Sequence, residues 1–185
     1  MARKYIVTGS HGFIGSHLVR RLGEENCWCI DWKIDRDANR QSDYPIEDGQ
    51  FDAIFHLAGY IHDGYPPDEI LTNNTSSTIR VLEEARRLKA KVIFISTAGV
   101  YPDLAGPQRE DGALDYTAST YATSKRIGEE LCQLYSRRYG VPAVALRLFN
   151  AYGPRGNSVI NTWHGLIVKR ERLLVNGNGE HEREY

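Results

Sequence analysis

The stretch KYIVTGSHGFIGSHLV, Lys4–Val19, decides how the rest of the chain is interpreted. A short apolar run ends at Thr8 and is followed by Gly9, Gly12 and Gly15. Apolar residues then recur at helical spacing, so the segment predicts a strand, a glycine loop and a helix. Glycine loses more conformational freedom on folding than any other residue, so three glycines at fixed intervals indicate a backbone constraint.

The rest of the chain alternates between apolar runs and helical patterns. The later predicted strands are CWCID, DAIFHLA, KVIFIS and AVALRLF. One helix is predicted to start within PPDEI and to end at Leu88, with a break around residues 72–77, and another to span Tyr121–Tyr139. The polar stretches 32–50 and 102–117 are predicted loops. Nearly continuous apolar strands joined by helices are typical of a parallel sheet covered on both faces.

This order of elements predicts an α/β fold, a Rossmann-like doubly wound parallel sheet over residues 1–150. Residues 151–185 are then the start of a substrate-binding region. The chain has 185 residues, which is enough for one domain with a small appendage. The basic run Lys169–Arg172 is predicted to be the solvated face of a helix.

Composition and charge argue against several classes of function. The net charge is −1, which disfavours nucleic-acid binding, and no apolar stretch approaches the roughly 20 residues of a membrane span. The histidines lack ligand-like spacing, and Cys27 and Cys29 fit the alternation of a strand better than a metal-binding fragment, so no metal site is predicted. Three cysteines without a signal-peptide pattern predict reduced thiols in a cytoplasmic protein.

The glycine loop has a physical explanation if it binds a dinucleotide. In a strand–loop–helix unit that binds a dinucleotide, one glycine permits the turn, another lets the backbone approach the pyrophosphate, and a third lets the helix pack against the sheet. The helix N-terminus presents N–H groups and partial positive charge to the phosphates. The spacing is G-x-x-G-x-x-G rather than the commoner G-x-G-x-x-G, and a loop without a ligand is the alternative.

Asp31 stands at the end of the second predicted strand. A carboxylate there accepts hydrogen bonds from an adenosine ribose and repels a 2′-phosphate, which predicts NAD rather than NADP. Lys33 and Arg36 follow closely and could reverse that preference. A solvated aspartate at a strand end is the alternative explanation.

The segment YATSK places Tyr121 and Lys125 at positions i and i+4 of a predicted helix, so both side chains lie on one face. A free tyrosine has a pKa of about 10 and is a poor base near neutrality. A neighbouring ammonium favours the phenolate, which could then take a proton from a sugar hydroxyl. A surface pair is the alternative, because this spacing is common on helices.

A hydroxyl that holds the reacting oxygen should accompany this pair. Ser96 and Thr97 stand at the end of the fourth predicted strand, in ISTAGVY. Ligands of open α/β sheets bind beyond the carboxyl ends of the strands, so both residues are suitably placed. Thr97 is the first choice and Ser96 the second.

Taken in order, these motifs resemble an extended short-chain dehydrogenase/reductase of the NAD-dependent epimerase/dehydratase family, whose best-known members act on nucleotide sugars. TGSHGFIG resembles the family's cofactor loop, IFHLAG the strand end beside the cofactor, and NNTSST a helix segment with a supporting asparagine. STAGVY and YATSK are similar to the family's catalytic segments, and RLFNAYGPR and NGNGEHEREY to its substrate-site segments. The resemblance covers almost the whole chain.

The resemblance implies a set of site residues. The implied catalytic residues are Tyr121, Lys125 and Thr97. The implied cofactor-binding residues are Gly9, His11, Gly12, Phe13, Ile14, Gly15, Asp31, Leu57, Ala58, Gly59, Asn74, Ser96, Tyr121, Lys125 and Phe149. The implied substrate-binding residues are Thr97, Asn150 and Arg183.

The chain departs from the family pattern at three places. The segment from Asp31 to Phe51 is short, so the strand, helix and adenine contact usually found there are expected to be reduced or absent. Asp43 is a weak candidate for a replacement contact. Ala98 and Gly99 stand where sugar 4,6-dehydratases carry an acidic pair, which disfavours that activity. The chain also stops where relatives continue, so we expect much of the substrate-binding region to be missing.

The leading hypothesis is an NAD-dependent nucleotide-sugar epimerase that transfers hydride transiently at C4 of a UDP- or dTDP-linked sugar. The alternatives are a net NAD(P)-dependent reductase or dehydratase of the same family and a nucleotide-binding module without chemistry. The resemblance also implies a homodimer formed through two long helices, residues 69–88 and 121–139.

Overall fold

The computed structural model describes most of the chain. The described residues are 3–45, 51–102, 106–117, 119–173, 175 and 177–179. The chain divides into two compact units, Met1–Arg147 and Leu148–Tyr185, and each is described by itself.

Five strands form one sheet. They are β1 (Tyr5–Thr8), β2 (Cys27–Ile30), β3 (Ala53–His56), β4 (Lys91–Thr97) and β5 (Ala143–Leu148). Their order is β2-β1-β3-β4-β5, and β1 pairs in parallel with β2 and β3, as β3 does with β4. The predicted doubly wound parallel sheet is confirmed, and Cys27 and Cys29 lie in a strand, as their alternation predicted.

Three helices connect these strands. They are α1 (Phe13–Leu22), α2 (Pro67–Leu88) and α3 (Thr120–Tyr139). The predicted break in α2 around residues 72–77 is wrong: the helix is continuous from Pro67 to Leu88, and its buried polar side chains have hydrogen-bond partners. Ser77 and Thr78 both donate to the carbonyl of Asn74 at 3.3 and 2.7 Å.

The connection from β2 to β3 is reduced, as its length predicted. Its described residues, 31–45 and 51–52, contain only two short 3₁₀ turns, Trp32–Ile34 and Gln41–Asp43. β2 is therefore an edge strand of the sheet. The segment packs against α2: Tyr44 is buried, and Arg87 donates to the carbonyl of Pro45 at 2.6 Å.

The core lies between the sheet and its helices. Ile6, Ile54 and Phe94 on the strands and Leu82 on α2 are at most 1% exposed. A side chain at Gly128 of α3 would overlap the ring of Phe94, so this glycine permits the close approach of α3 to β4. That approach sets the position of Tyr121 and Lys125, the predicted catalytic pair, earlier on the same helix. No helix in the described part of the chain is long and apolar enough to cross a membrane.

The second unit contains one described helix, α4 (Val159–Lys169). Ser158 caps its N-terminus, because its hydroxyl oxygen accepts from the backbone N–H of Asn161. The side-chain amide of Asn161 donates to the carbonyl of Gly153 at 2.5 Å. The basic run Lys169–Arg172 is exposed, as predicted, but the helix ends at Lys169 because Arg170 adopts a left-handed conformation. The predicted helical face is therefore wrong beyond its first residue.

Candidate active site

The glycine loop joins β1 to α1 at the carboxyl edge of the sheet. Gly9 has φ +70° and donates to the carbonyl of Ile30 at 2.8 Å. A Cβ on Gly9 would stand 2.8 Å from the amide nitrogen of Ala58, and one on Gly15 would overlap the carbonyl oxygen of Gly9. A side chain at either position would therefore push apart the ends of the central strands or lift α1 off the loop.

The residues of this loop fit a dinucleotide phosphate. No side chain caps α1 at Gly12, and no acidic residue stands in its first turn. The N-terminus of α1 is thus left for an anionic group, which its N–H groups and dipole favour. Gly12, Phe13 and Ile14, three of the predicted cofactor residues, form this end of the helix.

Asp31 lies directly beside the loop and is 6% exposed. Its two oxygens accept from the backbone N–H of His11 at 2.8 Å and of Lys33 at 3.0 Å. An ionised carboxylate offers about four acceptor positions, so two remain for ribose hydroxyls. The carboxylate therefore braces the glycine loop, and its role as the ribose acceptor stays a prediction.

The two cations that could have reversed the cofactor preference both donate to backbone carbonyls near Asp31. Lys33 Nζ donates to the carbonyl of His11 at 3.2 Å. Arg36 donates to the carbonyl of Cys29 at 2.9 Å, and its guanidinium lies over the ring of Trp28 at 4.9 Å. Arg36 is thus held against the edge strand β2, whereas Lys33 stays beside the glycine loop.

A buried polar chain runs beneath the carboxyl edge of the sheet. Thr8 Oγ1 lies 2.8 Å from His56 Nδ1, and His56 Nε2 lies 3.2 Å from Thr78 Oγ1. Thr78 donates onward to the carbonyl of Asn74, so its oxygen is left to accept the Nε2 proton, and Nδ1 accepts from Thr8. Burial, followed by the charge of Lys125, lowers the pKa of His56 to about 3. The imidazole is therefore a neutral structural link.

Asn74 ties the loop after β3 to the catalytic helix. Its side chain accepts from the backbone N–H of Tyr60 at 2.8 Å and donates to the carbonyl of Tyr60 at 3.0 Å and to Ser124 Oγ at 2.9 Å. The residue is 4% exposed. These contacts fix Tyr60, which directly follows Leu57–Gly59, to α3. The cofactor role implied for Asn74 stays a prediction.

The catalytic residues predicted from the sequence meet at the end of β4. Burial raises the pKa of Tyr121, and a hydrogen bond with the Thr97 side chain opposes that rise. Lys125 Nζ lies 5.9 Å from the centroid of the Tyr121 ring and 5.0 Å from that of Phe94. Lys125 is 4% exposed, and burial lowers its pKa to about 8. A phenol, a hydroxyl donor and a desolvated amine thus share one site.

Ser96, the second choice for the hydroxyl, faces a different partner. Its Oγ donates to Glu129 Oε1 at 2.6 Å, and Ser96 is 2% exposed. Any contact that it makes with a dinucleotide would therefore involve other atoms of the residue. Its cofactor role stays a prediction.

Glu129 was missed by the sequence analysis and is central to this region. It lies one turn after Lys125 on α3 and accepts from Arg147 Nε at 2.9 Å and Nη2 at 2.8 Å, and from Arg126 at 2.9 Å. Burial raises the pKa of Glu129, but the hydrogen bonds from Arg147 and Ser96 outweigh that effect, and the net pKa lies below its usual value. Its i+4 spacing from Lys125 was the sequence feature that could have placed Glu129 on the same helix face as the predicted catalytic pair.

Asp63 was also missed, and it joins the loop after β3 to the start of α3. Its carboxylate accepts from the hydroxyl of Ser119, the N-cap residue, and from the backbone N–H of Tyr121, both at 2.7 Å. These two hydrogen bonds hold the pKa of Asp63 below its usual value. No local sequence pattern could reveal the contact, because it depends on the packing of two segments.

Replacing Asp63 with alanine is expected to destabilise the protein by about 1 kcal/mol, the usual effect of losing a helix cap. For a chain of this size that corresponds to a fall in Tm of about 2–4 °C. Because the folded-state pKa of Asp63 is depressed, the difference between variant and wild type should be present at neutral pH and disappear as the pH falls through that pKa. Thermal unfolding at several pH values measures it.

The matched control for this measurement is Asp111→Ala. Asp111 pairs with Arg109 in an exposed loop, with side chains 76% and 79% exposed, and such surface pairs contribute little. If both variants unfold at the wild-type temperature at pH 7, the capping role of Asp63 is refuted.

Three predicted site residues belong to the second unit or lie beyond the described residues. Phe149 and Asn150 follow β5, and Phe149 is 38% exposed. Arg183 lies outside the described residues. Their roles remain predictions. Among the described residues no group of His, Cys, Asp or Glu is arranged to hold a metal ion.

A parallel sheet with a glycine cradle at its first crossover and a Tyr–Lys pair on the helix before β5 is typical of dinucleotide-dependent α/β enzymes. The sequence profile of the NAD dependent epimerase/dehydratase family matches residues 5–185. The chain belongs to this family, as its motifs predicted, and NAD is the family's cofactor.

Relatives and solved structures extend this comparison. UDP-glucuronic acid decarboxylase 1 of Xenopus tropicalis is 28% identical over 214 residues, which cover 99% of this chain and 50% of the relative. The UDP-N-acetylglucosamine 4-epimerase of Methanobrevibacter ruminantium is 27% identical with a TM-score of 0.83, over 98% of this chain and 67% of that chain. The UDP-glucuronic acid 4-epimerase of Bacillus cereus, solved with NAD, is 27% identical with a TM-score of 0.76, over 95% and 67%.

The chain spans about half the length of the first of these relatives and about two thirds of the two solved epimerases. The activity and substrates of the whole protein are therefore taken up as proposals below.

Proposed function

We propose that this protein is an NAD-dependent nucleotide-sugar epimerase that oxidises and re-reduces one hydroxyl-bearing carbon, C4, of a UDP- or dTDP-linked sugar. The observation that carries the proposal is the meeting of Tyr121, Thr97 and Lys125 at the carboxyl end of β4. The 4-epimerases among its structural neighbours support C4 as the position.

The glycine loop and Asp31 hold the cofactor in this proposal. The N-terminus of α1 receives the pyrophosphate, and the free lone pairs of Asp31 receive the adenosine ribose. NAD⁺, when bound, accepts a hydride from the sugar carbon and returns it. The contacts of Leu57, Ala58 and Phe149 with the cofactor are part of the proposal.

Tyr121 moves the proton. Its phenolate oxygen takes the proton of the sugar hydroxyl during oxidation and gives it back during reduction. Thr97 hydrogen-bonds to the phenol and orients the reacting oxygen. The Lys125 ammonium favours the phenolate by its charge, and burial in this site strengthens that interaction because the local dielectric is low.

The segment after Thr97 argues against elimination of water. Ala98 and Gly99 form a 3₁₀ turn in which the amide of Gly99 donates to Thr97 Oγ1 at 3.1 Å. Neither side chain can transfer a proton. We assign the diphosphate of the substrate to Asn150 and Arg183, since an arginine can bond two phosphate oxygens at once.

The proposed enzyme is a cytoplasmic homodimer. Its three cysteines are all free, which supports a reducing compartment. Apolar side chains on the two long helices, Ile79 at 39% exposure and Leu134 at 50%, support pairing of α2 and α3 with a second copy.

The test is to incubate the purified chain with NAD⁺ and a panel of UDP- and dTDP-sugars, and to follow products by NMR and absorbance at 340 nm. An epimerase converts one sugar into its C4 epimer with no net absorbance change. Stoichiometric NADH would instead indicate a dehydrogenase, release of CO₂ from a uronic acid would indicate a decarboxylase, and NAD binding without any conversion would indicate a binding module. Any of these three results contradicts the proposal.

A further inference from the structure

Trp32 is the most exposed large apolar side chain among the described residues, at 80%. It directly follows Asp31, which is 6% exposed and braces the glycine loop. An indole in water forfeits the free energy that its burial would contribute. A large aromatic surface beside a ribose-binding carboxylate therefore indicates a ligand that covers it.

The position of the indole is set by its neighbours. Trp32 begins the 3₁₀ turn that Asp31 caps by accepting from Lys33. Lys33 Nζ lies 5.9 Å from the centroid of the indole and 3.2 Å from the carbonyl oxygen of His11. One lysine thus bridges the ring and the glycine loop, which places the ring on the cofactor side of the edge strand β2.

In the described part of the chain, no further strand lies beyond β2 to complete an adenine site. The described residues between β2 and β3 form only two 3₁₀ turns, and β2 stands at the edge of the sheet. Asp43, the replacement contact considered from the sequence, has one carboxylate oxygen accepting from the N–H of Asp37 at 2.7 Å. Trp32 is the aromatic surface that remains beside Asp31.

We propose that the Trp32 indole forms the adenine wall of the cofactor site and stacks on the base whose ribose Asp31 binds. This inference rests on the proposed NAD site. Adenine is attached to the ribose that Asp31 would hold, so only the ribose ring separates the base from that carboxylate. Stacking on an aromatic face needs no hydrogen-bonding groups from a further strand.

The experiment measures ADP-ribose and nicotinamide mononucleotide binding to the full chain by calorimetry, together with tryptophan fluorescence. Stacking of a base on an aromatic side chain changes affinity by roughly fivefold to a hundredfold on alanine substitution. We expect Trp32→Ala to weaken ADP-ribose binding by about tenfold or more, and Trp32→Phe to keep most of the affinity. Binding of nicotinamide mononucleotide, which has no adenine, should be the same in all three proteins.

Fluorescence gives a second readout that does not depend on affinity. The chain contains three tryptophans, and Trp28 and Trp163 are each 36% exposed. ADP-ribose should quench wild-type fluorescence, and Trp32→Phe should remove that response while still binding in the calorimeter. Ile34→Ala, which removes another exposed apolar side chain from the same turn, is the control and should match the wild type.

The two proposals fail in different ways. If Trp32→Ala binds ADP-ribose as tightly as the wild type and the fluorescence response survives in Trp32→Phe, the adenine wall lies elsewhere and the NAD site stands. If the folded wild-type chain binds neither ADP-ribose nor NAD⁺, both the wall and the proposed function are refuted.

Discussion

Tyr121→Phe is expected to lower epimerase turnover by about 10²- to 10⁴-fold, the usual contribution of a positioned acid–base group. Phenylalanine keeps the aromatic ring beside Lys125 but removes the oxygen that exchanges the proton. Turnover of the UDP-sugar found in the panel measures the effect. NAD⁺ affinity should stay close to that of the wild type, which separates lost chemistry from lost binding.

The matched control for this loss is Tyr139→Phe. Tyr139 lies on the same helix, is 50% exposed, and contacts Tyr135 and Arg86 through its ring, which phenylalanine retains. Its turnover should equal that of the wild type. Full activity in Tyr121→Phe would show that another group moves the proton.

Glu129→Ala is expected to lower the free energy of unfolding by about 3–5 kcal/mol, because it removes one partner of a buried ion pair. Arg147, whose side chain is 17% exposed, would lose both hydrogen bonds to that carboxylate, and Ser96 would lose its acceptor. The site lies on α3 one turn after Lys125, so activity should fall as the helix loosens. Urea denaturation gives the stability directly.

Glu130→Ala is the control. Glu130 is the next residue on the helix, its side chain is 54% exposed, and it pairs only with Arg126 among the described residues. Its loss should cost less than about 1 kcal/mol. A similar, small effect for both variants would show that the buried carboxylate does not hold β5 to α3.

The local signals in the sequence were sufficient to predict the architecture and the family. Apolar runs located the strands, and the glycines located the turn into α1, because those requirements depend on neighbouring residues. The i, i+4 spacing placed Tyr121 and Lys125 on one helix face. The predicted break in α2 was wrong because a run of Thr, Asn and Ser is a poor local helix signal. In the folded protein, Asn74 and Thr78 are buried and hydrogen-bonded, and the helix continues through them.

The remaining features of the site depend on residues far apart in the chain. Asp63 meets the start of α3, Glu129 meets Arg147, and His56 links Thr8 to Thr78 only after the sheet and helices have packed. The exposure of Trp32 likewise follows from its place beside the edge strand β2, and its own sequence neighbours do not specify it. Periodicity and backbone conformation are encoded over a few neighbouring residues. Hydrogen-bond partners and side-chain burial are set by the packing of whole helices and strands, so only the tertiary structure determines them.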